Sequence, residues 1–415
     1  MKIKSLLLVL MLSAVTVLCG CADSTASLPH DIAPKDEALP MPTPGSGATE
    51  MPSPKVEEVN KTEEAKEPTY EKISFIGCGD NIIYYGNVRD AQSLARDGKQ
   101  YDFTPMYDGV KDIVALADIA FINQETVMDS NKPLSYYPTF NSPTQVGLDL
   151  LEVGYDVINI ANNHMLDKGA SGLESTIRFW KSQDCLMIGG YENAEDYDTV
   201  RTLEKNGIKL SFLSYTYATN GITKGASSPL AIPYINDEDI IRQTVKAKSE
   251  SEFVIASIHW GDEGAFKPNA EQQRVAQLLA DCGVDVIIGH HPHVIQKVEW
   301  LTGKDGNRTL CVYSLGNFAA EQAYAYNMVG GIISFDIVSE NDGRPVVENP
   351  VFIPTVYHFN SAFYKNTVYL MSDYTEELAL GHGVRTYYGR AFSLPILKKY
   401  VTDYIPVEFL PADFN

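Results

Sequence analysis

From Lys72 onward, short and continuously apolar runs alternate with stretches of helical period. Residues 73–78, 119–122, 157–160, 208–214, 253–258, 286–288 and 309–313 are too short and too evenly apolar for amphipathic helices, and predict buried strands. Between them, residues 144–153, 171–181 and 269–282 repeat at helical spacing. The last is the clearest, with Val275, Leu278, Leu279 and Cys282 on one face behind Asn269 as a cap. Strands alternating with helices predict a layered α/β domain.

The polar residues fall where the apolar runs stop. Five strands end in groups able to bind a cation: Gly79-Asp80-Asn81, Asn123-Gln124-Glu125, Asn162-Asn163-His164, His259-Trp260-Gly261-Asp262-Glu263 and Gly289-His290-His291-Pro292-His293. A lone histidine after a strand is usually a hydrogen-bonded structural residue. Five such ends hold five of the chain's eight histidines, and strand ends in an α/β sheet face a common crevice. The donor set is oxygen and imidazole, which suits Zn, Fe, Mn or Ni, with one ion or two. A carboxylate such as Glu125 would bridge a pair about 3.5–4 Å apart.

The chain's N-terminus follows a different pattern. Lys2 and Lys4 precede an apolar run from 5 to 18, too short to span a membrane, which stops at Leu18-Cys19-Gly20-Cys21. That tetrapeptide resembles a bacterial lipobox, so residues 1–20 are expected to be a signal peptide and Cys21 the lipidated residue, with plain secretion as the alternative. Residues 21–72 hold eight prolines from Pro29 to Pro68 among Glu-Lys mixtures, and are expected to be a disordered tether. The expected protein is thus exported and held at the outer face of the bacterial cytoplasmic membrane. After residue 356 the chain turns Tyr-rich. Residues 357–415 are expected to be an extension packed on the domain of 73–356, with His382 in a structural role.

Charge and cysteine content narrow the picture. With 54 Asp+Glu against 33 Lys+Arg the 415-residue chain carries −21, which opposes a nucleic-acid partner because phosphate contacts need clustered cations. Removing residues 1–20 takes two lysines and no acid, leaving −23. Cys78, Cys185, Cys282 and Cys311 stand singly in or beside apolar runs, as buried thiols do, rather than in pairs that build disulfides or sulfur-ligated metal sites.

In order, Gly79-Asp80, Ile122-Asn123-Gln124-Glu125-Thr126, Phe140-Asn141-Ser142-Pro143, Asn162-Asn163-His164, His259-Trp260-Gly261-Asp262-Glu263, His291-Pro292-His293 and Tyr313-Ser314-Leu315-Gly316-Asn317-Phe318 resemble the CapA family of capsule and poly-γ-glutamate biosynthesis proteins. That family is similar to the calcineurin-like metallophosphoesterases. The resemblance implies an α/β fold, a layered α-β-β-α sandwich of the metallo-dependent phosphatase-like type. It also implies a site holding one or two divalent ions, Mn, Fe or Zn. In that pattern Asp80 and His293 hold one ion, Asn163, His259 and His291 the other, and Glu125 bridges. His164 is then free to act as acid or charge stabiliser, oriented by Asp167. Asn123, Trp260 and Glu263 are expected to meet substrate; Arg89 and Lys168 are weaker candidates that read equally well as surface residues. Two departures stand out: Ile82 replaces a histidine ligand of the superfamily, and Glu125 replaces its bridging aspartate.

Two functions from different classes follow. One is a metal-dependent hydrolase-like enzyme acting on an anionic envelope polymer, or its phosphorylated precursor, at the cell surface. The other is a subunit that binds or anchors poly-γ-glutamate for membrane synthase subunits without turning it over.

Overall fold

The computed structural model describes residues 70–341 and 343–414, all within one compact unit. The expected signal peptide, Cys21 and the tether up to residue 69 lie outside the described residues, while residues 70–72 already belong to a strand. The first four strands are β1 (Tyr70–Asn81), β2 (Ile119–Gln124), β3 (Val157–Asn159) and β4 (Leu186–Ile188). Six more follow: β5 (Arg201–Lys205), β6 (Ile208–Thr216), β7 (Phe253–His259), β8 (Val286–His290), β9 (Val298–Thr302) and β10 (Arg308–Val312). The last are β11 (Asn317–Ala319), β12 (Val329–Glu340), β13 (Val346–His358) and β14 (Thr367–Leu370).

These strands form two mixed sheets. The first runs β14-β13-β12-β1-β2-β3-β4 with β11 beside β1; the second runs β5-β6-β7-β8-β10-β9. β1 to β4 are mutually parallel, as are β6, β7, β8 and β10, whereas β12, β13 and β14 pair antiparallel.

Strand alternation builds the layers. In the second sheet Leu210, Phe212, Phe253, Ile255, Val286 and Ile288 join one core with Phe75, Phe121 and Ile158 of the first sheet. Their neighbours Leu213, Val254, Ala256 and Ile287 point the other way, packing with Ile240, Ala247, Val275 and Leu279 of helices Asp237–Glu250 and Ala270–Cys282. Helices Gln145–Val153 and Gly169–Lys181 bury Val146, Leu150, Leu173 and Trp180 in the main core. All three predicted helices form. Asn269 caps the third by accepting from Gln272 N–H (2.9 Å) while Gln272 Oε1 accepts from Asn269 N–H (3.0 Å), a reciprocal box.

Register sets the polar strand ends in rows. Asp80 lies opposite Asn123, and Asn123 opposite Asn159, in the first sheet; His259 lies opposite His290 in the second. The carboxyl ends of the parallel strands of both sheets therefore meet at one edge. Among the described residues no helix is long and apolar enough to cross a membrane.

The C-terminal region differs from the expected division at 356/357, which falls inside β13. β14 extends the first sheet, and Tyr357, Phe359, Val368, Leu397 and Val401 lie in its core, so residues 357–414 complete this domain. Among the four described cysteines Cys78 and Cys311 are buried, Cys185 and Cys282 are half-buried, and all are free thiols.

Candidate metal centre

Close backbone approach packs the strand ends and the β10–β11 connection tightly around the site. A Cβ at Gly79 would collide with the Gly316 carbonyl, and one at Gly289 with the Tyr313 carbonyl, so both positions need glycine. The Asp80 N–H donates to that same Gly316 carbonyl (3.0 Å). Its buried carboxylate accepts from Asn123 Nδ2 (2.8 Å) and from the His291 N–H (3.1 Å), and lies 3.1 Å from His290 Nδ1. His293 Nδ1 is 3.3 Å away without hydrogen-bond alignment. Burial alone would push the Asp80 carboxyl up; His290 and His293 outweigh it and hold the group well below the usual carboxylate range.

Glu125 is the opposite case. Its N–H donates to the Asn81 carbonyl (3.1 Å), which turns a fully buried side chain inward, and neither carboxylate oxygen has a hydrogen-bond partner. Oε1 stands 3.8 Å from His259 Nε2 and 3.9 Å from His293 Nε2. Burial, reinforced by the charge of Asp80, pushes its carboxyl well above the ordinary value.

The imidazoles complete the arrangement. His259 Nε2 lies 2.9 Å from Asn163 Oδ1, and the His259 and His291 rings are 4.8 Å apart. Burial pulls His259 well down and, with His293 beside it, takes His291 down to about 3. His293 goes the other way: burial would lower it, yet Glu125 and Asp80 raise it to about 9. His291 and His293 adopt φ of 97° and 55°, a left-handed backbone that non-glycine residues take at a cost in strain. Such strain persists where the surrounding structure imposes it, here at the tight turn after β8.

Beside this cluster His164 Nδ1 is 2.8 Å from Asp167 Oδ2, which also accepts from the Phe140 N–H (2.7 Å). Phe140 sets its ring edge-to-face on His164 at 4.9 Å. The turn after β3 thus holds Asn163 towards His259 and His164 towards Asp167.

Sequence reasoning placed Asp80, Glu125, Asn163, His259, His291 and His293 together, and the structure brings them together. Glu263 stands at the exposed rim, its carboxylate near His291 and His293. Two substrate-binding assignments need correction. Trp260 is buried, stacks on Tyr313 at 5.9 Å and donates its indole N–H to the Tyr313 carbonyl (2.9 Å); directly after the last residue of β7, it packs into the outer cluster with Val254, Ala256 and Ile258. Asn123 is also buried, and its amide is taken up by Asp80 and by Asn159 Nδ2, which donates to Asn123 Oδ1 (2.8 Å). It orients Asp80. Arg89 stacks on Tyr364 at 4.5 Å, Lys168 Nζ donates to the Thr139 carbonyl (3.3 Å), and buried His382 sits 3.0 Å from the Tyr357 carbonyl.

One participant was given no role of its own and another was missed. His290 bonds Asp80 and keeps a buried, unpartnered Nε2; its signal was present in the His290-His291-Pro292-His293 string. Asn220 Oδ1 accepts from Asn163 Nδ2 (3.2 Å), from a loop after β6 that carries no recognisable motif.

The residues present fit a cation. Unpartnered buried atoms include both Glu125 oxygens, His259 Nδ1, His290 Nε2, His291 Nδ1 and His293 Nδ1, a concentration that a folded protein avoids unless something else satisfies it. Among the described residues, Asp80, Glu125 and His293 offer ligand atoms all within 4.8 Å of one another, as do Glu263, His291 and His293. Carboxylates and imidazoles without thiolate suit a divalent ion.

A family model described as "Bacterial capsule synthesis protein PGA_cap" matches residues 74–322. The capsule biosynthesis protein CapA of Bacillus anthracis is 32% identical over 191 residues, 45% of this chain and 45% of that protein. The PGA biosynthesis protein CapA of Bacillus subtilis (strain 168) is 29% identical over 197 residues, 47% of this chain and 50% of that protein. The chain thus spans about half the length of these curated relatives. Among solved structures, the 5'-nucleotidase precursor from Thermus thermophilus is matched over 69% of this chain and 54% of that one, at 11% identity and a TM-score of 0.43.

Proposed function

Because the chain belongs to the bacterial capsule synthesis family of that model, we propose that it works at the cell envelope through a divalent-metal centre of the phosphoesterase kind, on an anionic polymer such as poly-γ-glutamate or its precursor. Asp80 and His293 would hold one ion, Asn163, His259 and His291 the other, and Glu125 would bridge them. The observation that carries this reading is Glu125: a fully buried carboxylate with no hydrogen bond, facing His259 and His293. A bound divalent ion of Mn, Fe or Zn would supply Lewis acidity and charge stabilisation.

The chain's own groups would do the rest. Asp167 holds the Nδ1 side of His164 at 2.8 Å and Phe140 fixes its ring plane, which leaves Nε2 to give a proton to a leaving group or stabilise charge on the group in transfer. Glu263 at the rim would contact a ligand entering from solvent. Lipid attachment at Cys21, behind a signal over 1–20, would hold this site outside the cell; Cys21→Ala should release the protein from membranes on fractionation, and retention there with no lipid in the intact mass of the parent would contradict it.

One observation favours the second reading, a binding or anchoring subunit working with membrane synthase subunits. Ile82, at the position of a ligand histidine in the resembling superfamily, is buried with Phe140 and Ala320 in an apolar cluster, so the first ion would have one ligand fewer. The deciding experiment assays phosphoesters and γ-glutamyl polymer with manganese, using wild type and His164→Ala. Enzyme chemistry predicts turnover that falls about 10²–10⁴-fold in the variant while metal content stays. Absence of turnover by the metal-loaded wild type on both classes would decide for binding.

A further inference from the structure

A cleft of about 610 Å³ opens beside the metal centre, within the roughly 300–1,000 Å³ usual for small-ligand sites. His293 and Glu263 form its inner end, and eight of its fifteen lining residues are Tyr or Phe. The rings stand on several walls. Tyr85 and Tyr136 meet edge-to-face at 5.3 Å, and Tyr324 stacks on Tyr326 at 5.0 Å. Tyr137 contacts Phe140 at 6.5 Å, which links the cleft to His164.

The rim rings are open to solvent: Tyr85 is 56% exposed, Tyr137 73% and Tyr324 45%. They are also braced. The Arg390 guanidinium lies 3.5 Å from the Tyr324 ring centroid and donates to the Ala323 carbonyl (3.0 Å), so that cation is engaged behind the ring.

Charge decides what such a cleft accepts. Neither Lys nor Arg is among the described residues lining it, whereas Glu263 and Glu321 are. Away from the inner end, where His293 and Glu263 stand, a γ-glutamyl chain with a carboxylate on every residue and no ring would meet tyrosine walls with no lysine or arginine to pair it. Glu321 turns its carboxylate to the Gly86 N–H, which donates to it (3.0 Å), and the Asn327 amide donates to the His293 carbonyl (3.0 Å), so the polar groups left along the walls are the Gln322 amide and the tyrosine hydroxyls. Flat apolar faces with a few convergent polar groups suit saturated rings that carry hydroxyls. Rings spread over several walls suit a chain of them rather than one nucleobase.

We propose that this cleft binds pyranose rings of an uncharged glycan segment. It rests on the metal-centre reading only for the reacting end of that glycan, which would lie at His293. Calorimetric titration of the full chain with tetrasaccharides of N-acetylglucosamine, glucose, mannose and galactose tests it, in manganese and again in EDTA, so that loss of the metal reading leaves the result standing. A γ-linked glutamate decamer and adenosine serve as comparisons. At least one tetrasaccharide should bind, at least tenfold more weakly to Tyr85→Ala/Tyr324→Ala, and with affinity recovered in Tyr85→Phe/Tyr324→Phe, which keeps the ring faces. Failure of all four to bind, binding unchanged by the alanine pair, or binding of only the decamer or adenosine would overturn the proposal.

Discussion

Replacing Glu125 by Gln keeps the shape of a buried side chain and removes its charge, which separates the cost of the site from its use. Without a cation, both Glu125 oxygens are buried with no donor, and Asp80 stands close enough to raise its carboxyl further. Leaving one buried polar atom unsatisfied costs about 1–3 kcal/mol, and more for a charged group. Glutamine leaves its amide atoms equally unpartnered but uncharged, so in EDTA Glu125→Gln should be at least as stable as wild type, by at most about 3 kcal/mol. Unfolding entropy near 2.1 cal/mol/K per residue gives about 0.7 kcal/mol/K for roughly 345 described residues, so that gain is a Tm rise of at most about 4 °C. With manganese at about 100 times Kd, wild type should gain about 2.7 kcal/mol, again about 4 °C, while the variant gains a small fraction of this. The order of stability thus equalises or reverses between the two conditions. Paired thermal or urea melts in EDTA and in manganese read it directly. A variant less stable than wild type in EDTA by more than about 1 kcal/mol, or one with the full manganese response, would refute the reasoning that Glu125 is held in place for a cation.

Trp260→Ala should cost about 3–5 kcal/mol by emptying a buried site, with metal content per folded molecule unchanged; a stable variant with altered ligand affinity would return Trp260 to the groove. Asp285 gives a pH dependence of known sign: burial raises its carboxyl from 3.8 to about 6, although Arg344 Nη2 (2.8 Å) and the Val254 N–H (2.9 Å) donate to it. Its contribution to stability is complete below about pH 4 and is lost as pH rises through 6, so between pH 5 and pH 7 it takes away about 1 kcal/mol. Asp285→Asn should remove that component in urea melts at the two pH values, and an unchanged slope would contradict the shift.

The parallel half of the fold and its polar strand ends were legible because each strand there is a continuous apolar run that stops at a ligand-bearing residue. The antiparallel half was not. β12 contains Gly330 and Gly331, which weaken a strand signal yet are required, since a Cβ at Gly331 would enter the Phe352 ring and one at Gly330 would strike the Asn317 carbonyl. β13 carries Pro350 and Pro354 and a polar Glu348-Asn349 pair, which argue against a strand until β12 is there to pair with it. At the site, residue type foretold the inner cluster, but proximity in sequence misled at Trp260, where alternation along the chain sends neighbours to opposite faces. Asn220 was invisible because an amide in a loop declares nothing until the fold sets it against Asn163.

The central claim is that the carboxyl ends of both sheets build a divalent-metal centre, and metal content tests it most directly. Elemental analysis after dialysis should find one or two divalent ions per chain in wild type, near-normal content in His164→Ala, and loss of most of the metal in His291→Ala/His293→Ala, with the fold of each checked by circular dichroism. Stoichiometric metal retained by a folded His291→Ala/His293→Ala protein would place the centre elsewhere and contradict the account.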